Sequence, residues 1–386
     1  MSLIPDLDDA YLPEEHRMMR ALVRRFVDEE VKPHGERWEA EGRVPREVYL
    51  RLGELGVLGM GYPVEYGGGG MGLLGTVLLG EELGRSTFGG FAGAIALQTD
   101  MGAMHLATHG SDALRRKYLP GIISGRQVVC ICSTEPDAGS DVAGLKTSAR
   151  RDGDHYVVNG SKMFITSGIH GDLYLVLART DPQAKGSRGL SLLVLEKGMP
   201  GFTVGAPLKK TGWLSSDTAQ LFFDDVRVPA ANLIGEENKG FYYTMEGFER
   251  ERIMVGALSI GQSEAALELT MDWLKHRKAF SQTLWDLHGI KLEMARLACE
   301  LSAAKTLLYH AARNADRGQP ATALACMVKA HLPPLLNRIL YQCVQVHGGM
   351  GFMNGTPVER IARDARVLAI GGGATEVMLL EVAKRM

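Results

Sequence analysis

A polar loop in the first half of the chain carries residue types that can hold a polar ring or a phosphate. The stretch STEPDAGSDVAGLKT (133–147) follows an apolar, strand-like run and combines hydroxyl side chains with small residues and two glycines. Backbone N–H groups and hydroxyls exposed in such a loop can donate hydrogen bonds to a ligand. The same composition also suits an ordinary connection between strands, and the residue types alone leave both interpretations open.

A second candidate is the acidic pair in the segment FERERI (248–253), where Glu249 and Glu251 alternate with arginines. Two residues that are two positions apart on a helix point about 200° apart, so only one of these carboxylates can face a given site. Taken alone, the segment reads as the solvated face of a helix. A catalytic role therefore needs support from elsewhere in the sequence.

Other matches to known motifs carry less weight. The glycines at 67, 69 and 72 fit a dinucleotide-binding pattern by letter, but no strand precedes them and no acidic residue follows at the required spacing. His105 and His109 are four residues apart without the glutamate of a zinc protease helix, so packing is the expected role and no metal site is predicted. The chain also lacks the G-x-S-x-G and P-loop motifs.

Periodicity divides the chain into three parts that would position these residues. Residues 1–125 read as mostly helical, with segments at 13–32, 47–55, 73–83 and 112–123. Residues 126–235 contain short runs rich in β-branched and aromatic residues, which predict an antiparallel β domain. Residues 236–386 carry apolar stripes at helical spacing, which predict a helix bundle. The expected fold class is therefore α+β in the order α, β, α.

Two local signals make sharper predictions. Asn159-Gly160 lies between two strand-like runs and predicts a type I′ hairpin turn. Pro333-Pro334 lies inside a helical pattern and should kink or break that helix.

Composition excludes several classes of protein. The chain has 386 residues, 45% of them hydrophobic, and a formal net charge of −2, which argues against a nucleic-acid partner. The apolar, uncharged run at residues 86–99 is shorter than the ~20 residues that a membrane span requires. The acidic N-terminal segment has no signal-peptide pattern, so a cytoplasmic location is expected.

The polar loop also resembles a signature of the acyl-CoA dehydrogenase family in its segment TEPDAGSD (134–141). Further similar segments follow in the family's order: NGSKMFITSG (159–168), GEENKGFYY (235–243), RKAF (277–280), QVHGGMGF (345–352) and RDAR…IGGGATE (363–376). The resemblance covers nearly the whole chain. It implies a helical domain, a central β-barrel or sandwich domain and a C-terminal four-helix bundle, with FAD as the cofactor.

The resemblance also implies which residues contact the cofactor. One set lies on the loop and the strands around it: Ile131, Ser133, Thr134, Ser140, Phe164, Ile165 and Thr166. A second set resembles the site where a neighbouring subunit holds the same FAD: Arg277, Phe280, Gln345, Gly348 and Gly349. His288, Ala374 and Glu376 are further expected cofactor contacts. His288 replaces a usual glutamine and Ala374 a usual threonine, while Phe164 replaces the frequent tryptophan.

The reaction that the resemblance implies is α,β-dehydrogenation of an acyl-CoA, in which a carboxylate removes the α-proton. Most family members carry that glutamate where this chain has Gly372. Long-chain and isovaleryl-type members place it on an earlier helix instead, at the position that matches Glu251. We therefore expect Glu251 to be the base. Substrate contacts are expected at Ser140, Ser187, Phe248, Arg252 and Gly372.

The resemblance further implies an electron-transferring flavoprotein as the electron acceptor and a homotetramer or homodimer as the assembly. Two alternatives remain open. One is a flavoenzyme of the same fold that performs a different reaction on a CoA thioester or a small organic substrate. The other is a non-catalytic binding protein, which the net charge of −2 disfavours because such relatives have basic surfaces.

Overall fold

Helices form both ends of the chain and a β-sheet lies between them, as the computed structural model of residues 7–386 shows. The first six residues, part of the segment on which the expected location rests, lie outside this described range. The N-terminal helices are α1 (Asp8–Tyr11), α2 (Glu14–Phe26), α3 (Gly35–Glu41), α4 (Arg46–Glu54), α5 (Gly72–Gly84), α6 (Gly89–Ala96), α7 (Met104–His109) and α8 (Asp112–Ile123).

The central strands are β1 (Val129–Cys132), β2 (Ser148–Asp152), β3 (His155–Thr166), β4 (Leu173–Arg179), β5 (Leu190–Glu196), β6 (Phe202–Val204), β7 (Thr218–Pro229) and β8 (Leu233–Ile234). The C-terminal part comprises α9 (Gly240–His276), a short hairpin of β9 (Lys278–Ala279) and β10 (Gln282–Thr283), α10 (His288–Asp316), α11 (Thr322–His347), α12 (Gly349–Phe352), α13 (Pro357–Ala365) and α14 (Thr375–Ala383). The predicted order of helical, β and helical parts is confirmed.

The central sheet has the strand order β6-β7-β3-β2-β4-β5-β8. Most neighbours are antiparallel, as predicted, but β1 pairs in parallel with β4 and so does one residue of β2. The parallel pairing of β1 brings the chain out of the sheet beside the end of β3. The polar loop 133–147 therefore starts next to the last residues of that strand.

The predicted hairpin turn at Asn159-Gly160 is wrong. Both residues lie inside the single strand β3, at a register shift where Gly160 has φ +138°. The Asn159 side chain exchanges two hydrogen bonds of 2.9 Å with Asp225 on β7. Because β7 pairs with β3 on both sides of this shift, long-range pairing overrides the local turn preference. The tight turn lies earlier, between Asp152 and His155, which pair across it.

Of the two outcomes predicted at Pro333-Pro334, a kink or a break, the break is wrong, since α11 runs through both prolines without interruption. Leu332, Leu335 and Leu336 around them are buried. The Asn337 side chain also donates a 2.8 Å hydrogen bond to the Pro333 carbonyl. Burial of these leucines holds the helix together despite the two missing backbone donors.

Helix α9 is the central element of the helical parts, because it packs against both α5 and α11. Its contact with α5 is close: a Cβ added to Gly261 would lie 2.0 Å from the Glu81 carbonyl. Glycine is thus needed where the two backbones cross. None of the helices in the described range is long and apolar enough to cross a membrane.

Candidate active site

The strongest candidate for chemistry is Glu251, which α9 brings against the turn at residues 371–373. The residue is buried, with 9% of its surface exposed. A Cβ added to Gly372 would lie 2.7 Å from its Oε1 atom. The Glu251 carboxylate therefore lies just where a side chain at position 372 would begin. Gly372 itself has φ +66°, a left-handed conformation that glycine adopts without strain.

Burial raises the pKa of Glu251 to about 7, and the positive charges of Arg252 and Lys329 oppose this rise. No residue of the described range donates a hydrogen bond to its carboxylate or forms an ion pair with it within 4 Å. A carboxylate that is desolvated and unpaired can accept a proton near neutral pH. This combination of burial and missing partners is typical of a general base.

The neighbouring acid Glu249 has a different environment. The Thr322 hydroxyl at the start of α11 donates a hydrogen bond to its carboxylate. Glu249 and Glu251 thus contact different partners, as their two-residue spacing predicts. Of the two, Glu251 is the one with its carboxylate at the 371–373 turn.

The ends of β1 and β3 form a second candidate region, where most of the first predicted flavin set is located. The Met163 N–H donates a 2.9 Å hydrogen bond to the Thr134 carbonyl, which ties the loop after β1 to β3. The Ser133 Oγ atom is buried without a hydrogen-bond partner in the described range. Phe164 is 64% exposed and has φ +59°. An unpartnered hydroxyl and an exposed aromatic ring at the ends of these two strands can bind a polar aromatic ligand.

The shape of the polar loop depends on Glu135. Its carboxylate accepts hydrogen bonds from the backbone N–H groups of Lys146 and Thr147 and pairs with the buried Lys162 at 2.8 Å. Lys162 also donates to the Ser133 carbonyl at 3.2 Å. These contacts close the loop on itself and leave Ser140 exposed at its outer side.

The remaining residues of this set line the strands. Ile131 is half-buried on β1, while Ile165 is buried on β3. Thr166 pairs with Thr218 of β7 at the end of β3. The first predicted set therefore lies together around the ends of two neighbouring strands.

The second predicted set lies at the opposite end of α9. Arg277 directly follows that helix, 26 residues after Glu251, which corresponds to ~39 Å along the helix axis. Trp273 connects Arg277 to the end of α11. Its ring stacks on His347 at 5.1 Å and lies under the Arg277 guanidinium. The set comprises Arg277, Phe280, Gln345, Gly348 and Gly349, all exposed, and His288 at the start of α10 is exposed too.

The other predicted residues are dispersed around the Glu251 region and the sheet. Ala374 precedes α14, whose first turn carries the exposed Glu376. Arg252 is buried, and its Nη1 lies 3.6 Å from the Cys326 sulfur on α11. Phe248 is half-buried, and Ser187 lies in the loop between β4 and β5.

The two histidines of the HLATH segment serve packing, as expected. His105 is buried against Phe248, and burial lowers its pKa to about 4. His109 stacks on Tyr243 at 4.1 Å, and its Nε2 lies 3.3 Å from Glu246. The glycine-rich segment at 67–72 is a loop that leads into α5, not a turn after a strand.

Sequence reasoning missed Lys329, although it lies beside the candidate base. Its side chain on α11 has no exposed surface, and its Nζ donates a hydrogen bond to the Gly373 carbonyl. One signal was available: Lys329 is the only charged residue in the apolar run ALACMVKAHLPPLL (323–336). A lone lysine on a buried helix face is unusual unless it has a partner.

Comparisons with known proteins identify the same architecture. Three acyl-CoA dehydrogenase family models match the chain in order: the N-terminal domain at residues 13–126, the middle domain at 130–226 and the C-terminal domain at 238–386. The long-chain specific acyl-CoA dehydrogenase of Sus scrofa mitochondria is 37% identical over 96% of this chain and 86% of its own length. The mitochondrial isovaleryl-CoA dehydrogenase of Pongo abelii is 37% identical over 99% of this chain and 91% of its own.

A solved structure matches nearly the whole fold. The glutaryl-CoA dehydrogenase of Mycobacterium smegmatis, determined in complex with FADH2, superposes with a TM-score of 0.91 and 28% identity. The match covers 98% of this chain and 95% of that one. The fold predicted from the sequence motifs is thereby confirmed.

Proposed function

The chain is a member of the acyl-CoA dehydrogenase family of oxidoreductases, and from this premise we propose that it converts an acyl-CoA thioester to its trans-2-enoyl-CoA. The observation that carries the proposal is the Glu251 carboxylate, which is buried, unpaired within the described range and in contact with the 371–373 turn. In this proposal Glu251 is the catalytic base. Its place on the earlier helix α9 is the one that the long-chain and isovaleryl-type members use for this glutamate.

The first step is removal of the α-proton of the thioester by Glu251. The C–H group at the α-carbon is a weak acid, so its removal requires a base with a raised pKa. The carboxyl of Glu251, with a pKa of about 7, meets this requirement at neutral pH. Negative charge then builds on the thioester oxygen and requires a fixed donor. The Gly372 N–H can serve, because no residue in the described range accepts its hydrogen bond.

The residues around the ends of β1 and β3 fit FAD. The unpartnered Ser133 hydroxyl can donate to a polar ring edge, and Phe164 offers an exposed aromatic face beside Thr166. When bound, FAD supplies the acceptor for the β-hydrogen, which leaves as hydride. The homologue determined with FADH2 supports this choice of cofactor.

We propose that Arg277 and its neighbours contact FAD in a second subunit, because they resemble the family's site for that contact and lie ~39 Å along α9 from Glu251. This favours a homotetramer or a homodimer in which sites are shared. Electrons would pass to an electron-transferring flavoprotein. The cytoplasmic location remains a prediction from the sequence.

The substrate class that we propose is a long or branched acyl chain. The turn beside Glu251 consists of three successive glycines, 371–373, so no side chain at these positions narrows the space there. The relatives that act on long-chain and isovaleryl thioesters are each 37% identical to this chain.

The test is anaerobic mixing of the purified, flavin-loaded protein with butanoyl-, isovaleryl-, octanoyl- and palmitoyl-CoA while the flavin absorbance is recorded. Rapid bleaching by the long or the branched thioester is expected. A thioester without an α-hydrogen, 2,2-dimethylpropanoyl-CoA, is the matched control and should not bleach the flavin. If none of the four bleaches a protein that retains its flavin, the proposed reaction is wrong and another flavoenzyme activity takes its place.

A further inference from the structure

Lys329 lies beneath the turn that meets the candidate base. It is fully buried on α11, and its Nζ donates a hydrogen bond to the carbonyl of Gly373. Gly372 and Gly373 both have positive φ, +66° and +96°, so the turn has a tight and specific backbone shape. A single ammonium group thus anchors the backbone segment against which the Glu251 carboxylate lies.

Lys329 differs from the two other buried lysines of the described range. Lys162 lies 2.8 Å from Glu135, and Lys305 lies 2.7 Å from Glu264. Lys329 has no carboxylate within 4 Å in the described range and bonds to a carbonyl instead. Burial of a cation without a direct partner is costly, and such placements are more frequent at functional sites than in scaffolds.

The charged groups that act on the Glu251 carboxylate come from two helices: Arg252 is its neighbour on α9, and Lys329 lies on α11. Cys326, also on α11, lies beside Arg252. Glu376 on α14 acts on Lys329 and not on Glu251 directly. Burial lowers the pKa of Lys329 to about 8, and the negative charge of Glu251 opposes this change. The lysine and the carboxylate therefore stabilise each other's charged forms.

We propose that Lys329 is a positioning residue of the dehydrogenation: it fixes the 371–373 turn through the Gly373 carbonyl and keeps Glu251 ionised. The inference rests on the proposed function, because it gives Lys329 a role only if Glu251 is the base. Its two parts are separable. A glutamine at position 329 can donate a hydrogen bond without a charge, whereas a methionine can do neither.

The experiment is the pH profile of anaerobic flavin reduction in Lys329→Met, Lys329→Gln and Lys329→Arg holoenzymes. The acidic limb of kcat/KM reports the free base. We expect this limb to move to higher pH by roughly half a unit to one unit in the Met and Gln variants, since a stabilising positive charge is lost. At pH 6.5 both rates should fall about three- to tenfold. At pH 9 Lys329→Gln should approach the wild-type rate, whereas Lys329→Met should stay below it because it cannot bond to the Gly373 carbonyl. Lys329→Arg should restore most of the wild-type limb.

A second readout needs no turnover. The upper end of the pH range over which the thermal stability of the substrate-free holoenzyme declines should move upward by the same amount in Lys329→Met and Lys329→Gln. Lys305→Met is the matched control for the rate profile, because it also removes a buried lysine, and its kcat/KM limb should not move. Lys329→Gln provides the measurement if the methionine variant does not fold.

Two results have distinct meanings. If Lys329→Gln loses rate equally at every pH, or keeps the wild-type limb, Lys329 is only structural and the inference is overturned. If Glu251→Gln reduces its flavin at the wild-type rate, Glu251 is not the base and the inference loses its premise. The proposed function itself fails only if no thioester bleaches the flavin of the wild-type protein, so the failures are distinguishable.

Discussion

Two carboxylates on the same helix, the buried Glu251 and the half-buried Glu264, show how one scaffold uses similar groups for different purposes. Burial raises the pKa of both. Glu264 accepts a 2.7 Å hydrogen bond from Lys305 and lies 3.4 Å from Arg85, whereas Glu251 has no such partner in the described range. Burial alone therefore does not make a base. A carboxylate becomes available for proton transfer when its hydrogen-bonding capacity is left open.

Glu264 belongs to a wider set of ion pairs that joins the two helical parts of the chain. This set, named here the interhelical charge cluster, ties α2 and α5 to α9 and α10. It pairs four acids with four bases: Glu81, Glu82, Glu264 and Glu268 with Arg20, Arg24, Arg85 and Lys305. Equal numbers of opposite charges offset the cost of burial, whereas Glu251 retains that cost.

The largest expected effect comes from Glu251→Gln. Loss of a positioned general base should slow anaerobic flavin reduction by about 10²- to 10⁴-fold, while flavin remains bound. Stopped-flow absorbance with the best thioester measures this rate. Glu264→Gln, the same change 13 residues further along α9, is the control and should keep its rate per bound flavin. Equal losses in both variants would contradict the distinction drawn here.

A substitution in the interhelical charge cluster should lower the stability of the protein and leave its rate of flavin reduction unchanged. Lys305→Met leaves Glu81 and Glu264 without the ammonium that lies 3.6 and 2.7 Å from them. We expect the free energy of unfolding to fall by about 3 kcal/mol, with no change in flavin reduction per bound flavin. Chemical denaturation measures the first quantity. The exposed Lys384→Met is the control, and a similar loss in both variants would deny the cluster a special role.

An effect of similar size is expected in the pH dependence of stability. The pKa of Glu251 is about 7 in the folded chain against 4.5 as the ordinary value, so the folded state binds more protons between these pH values. Stability therefore falls as pH rises through this range, by on the order of 3 kcal/mol from this group. Glu251→Gln should be progressively more stable than the wild type from pH 5 to pH 8. Denaturant midpoints that differ equally at both pH values would contradict this.

The smallest effect is expected from Gly372→Ala. The new Cβ would lie 2.7 Å from the Glu251 carboxylate and would occupy a left-handed position, which costs about 1–3 kcal/mol. We expect flavin reduction to slow by about tenfold as the carboxylate is displaced. Gly56→Ala is the matched control, since it has φ +75° with nothing within 4 Å. It should share the loss of stability and keep its rate.

Much of the fold is predictable from local patterns. The segment 112–123 is predicted as a helix and is one, because a capping serine and helical spacing act within a few residues. Local patterns fail at Asn159-Gly160 and at Pro333-Pro334. In both places pairing or burial with distant parts of the chain outweighs the short-range preference.

What the sequence by itself determined is the order of helical and β parts, the family and the identity of the residues that could act, Glu251 among them. These follow from periodicity and from motifs, which are properties of the linear chain. Only the tertiary structure decided that the Glu251 carboxylate lies at Gly372 and that Lys329 lies beneath the same turn. Position 372 follows Glu251 by 121 residues, so no local pattern encodes their contact. The pKa of Glu251 also depends on desolvation and on charges that act through space, which only the folded chain brings together.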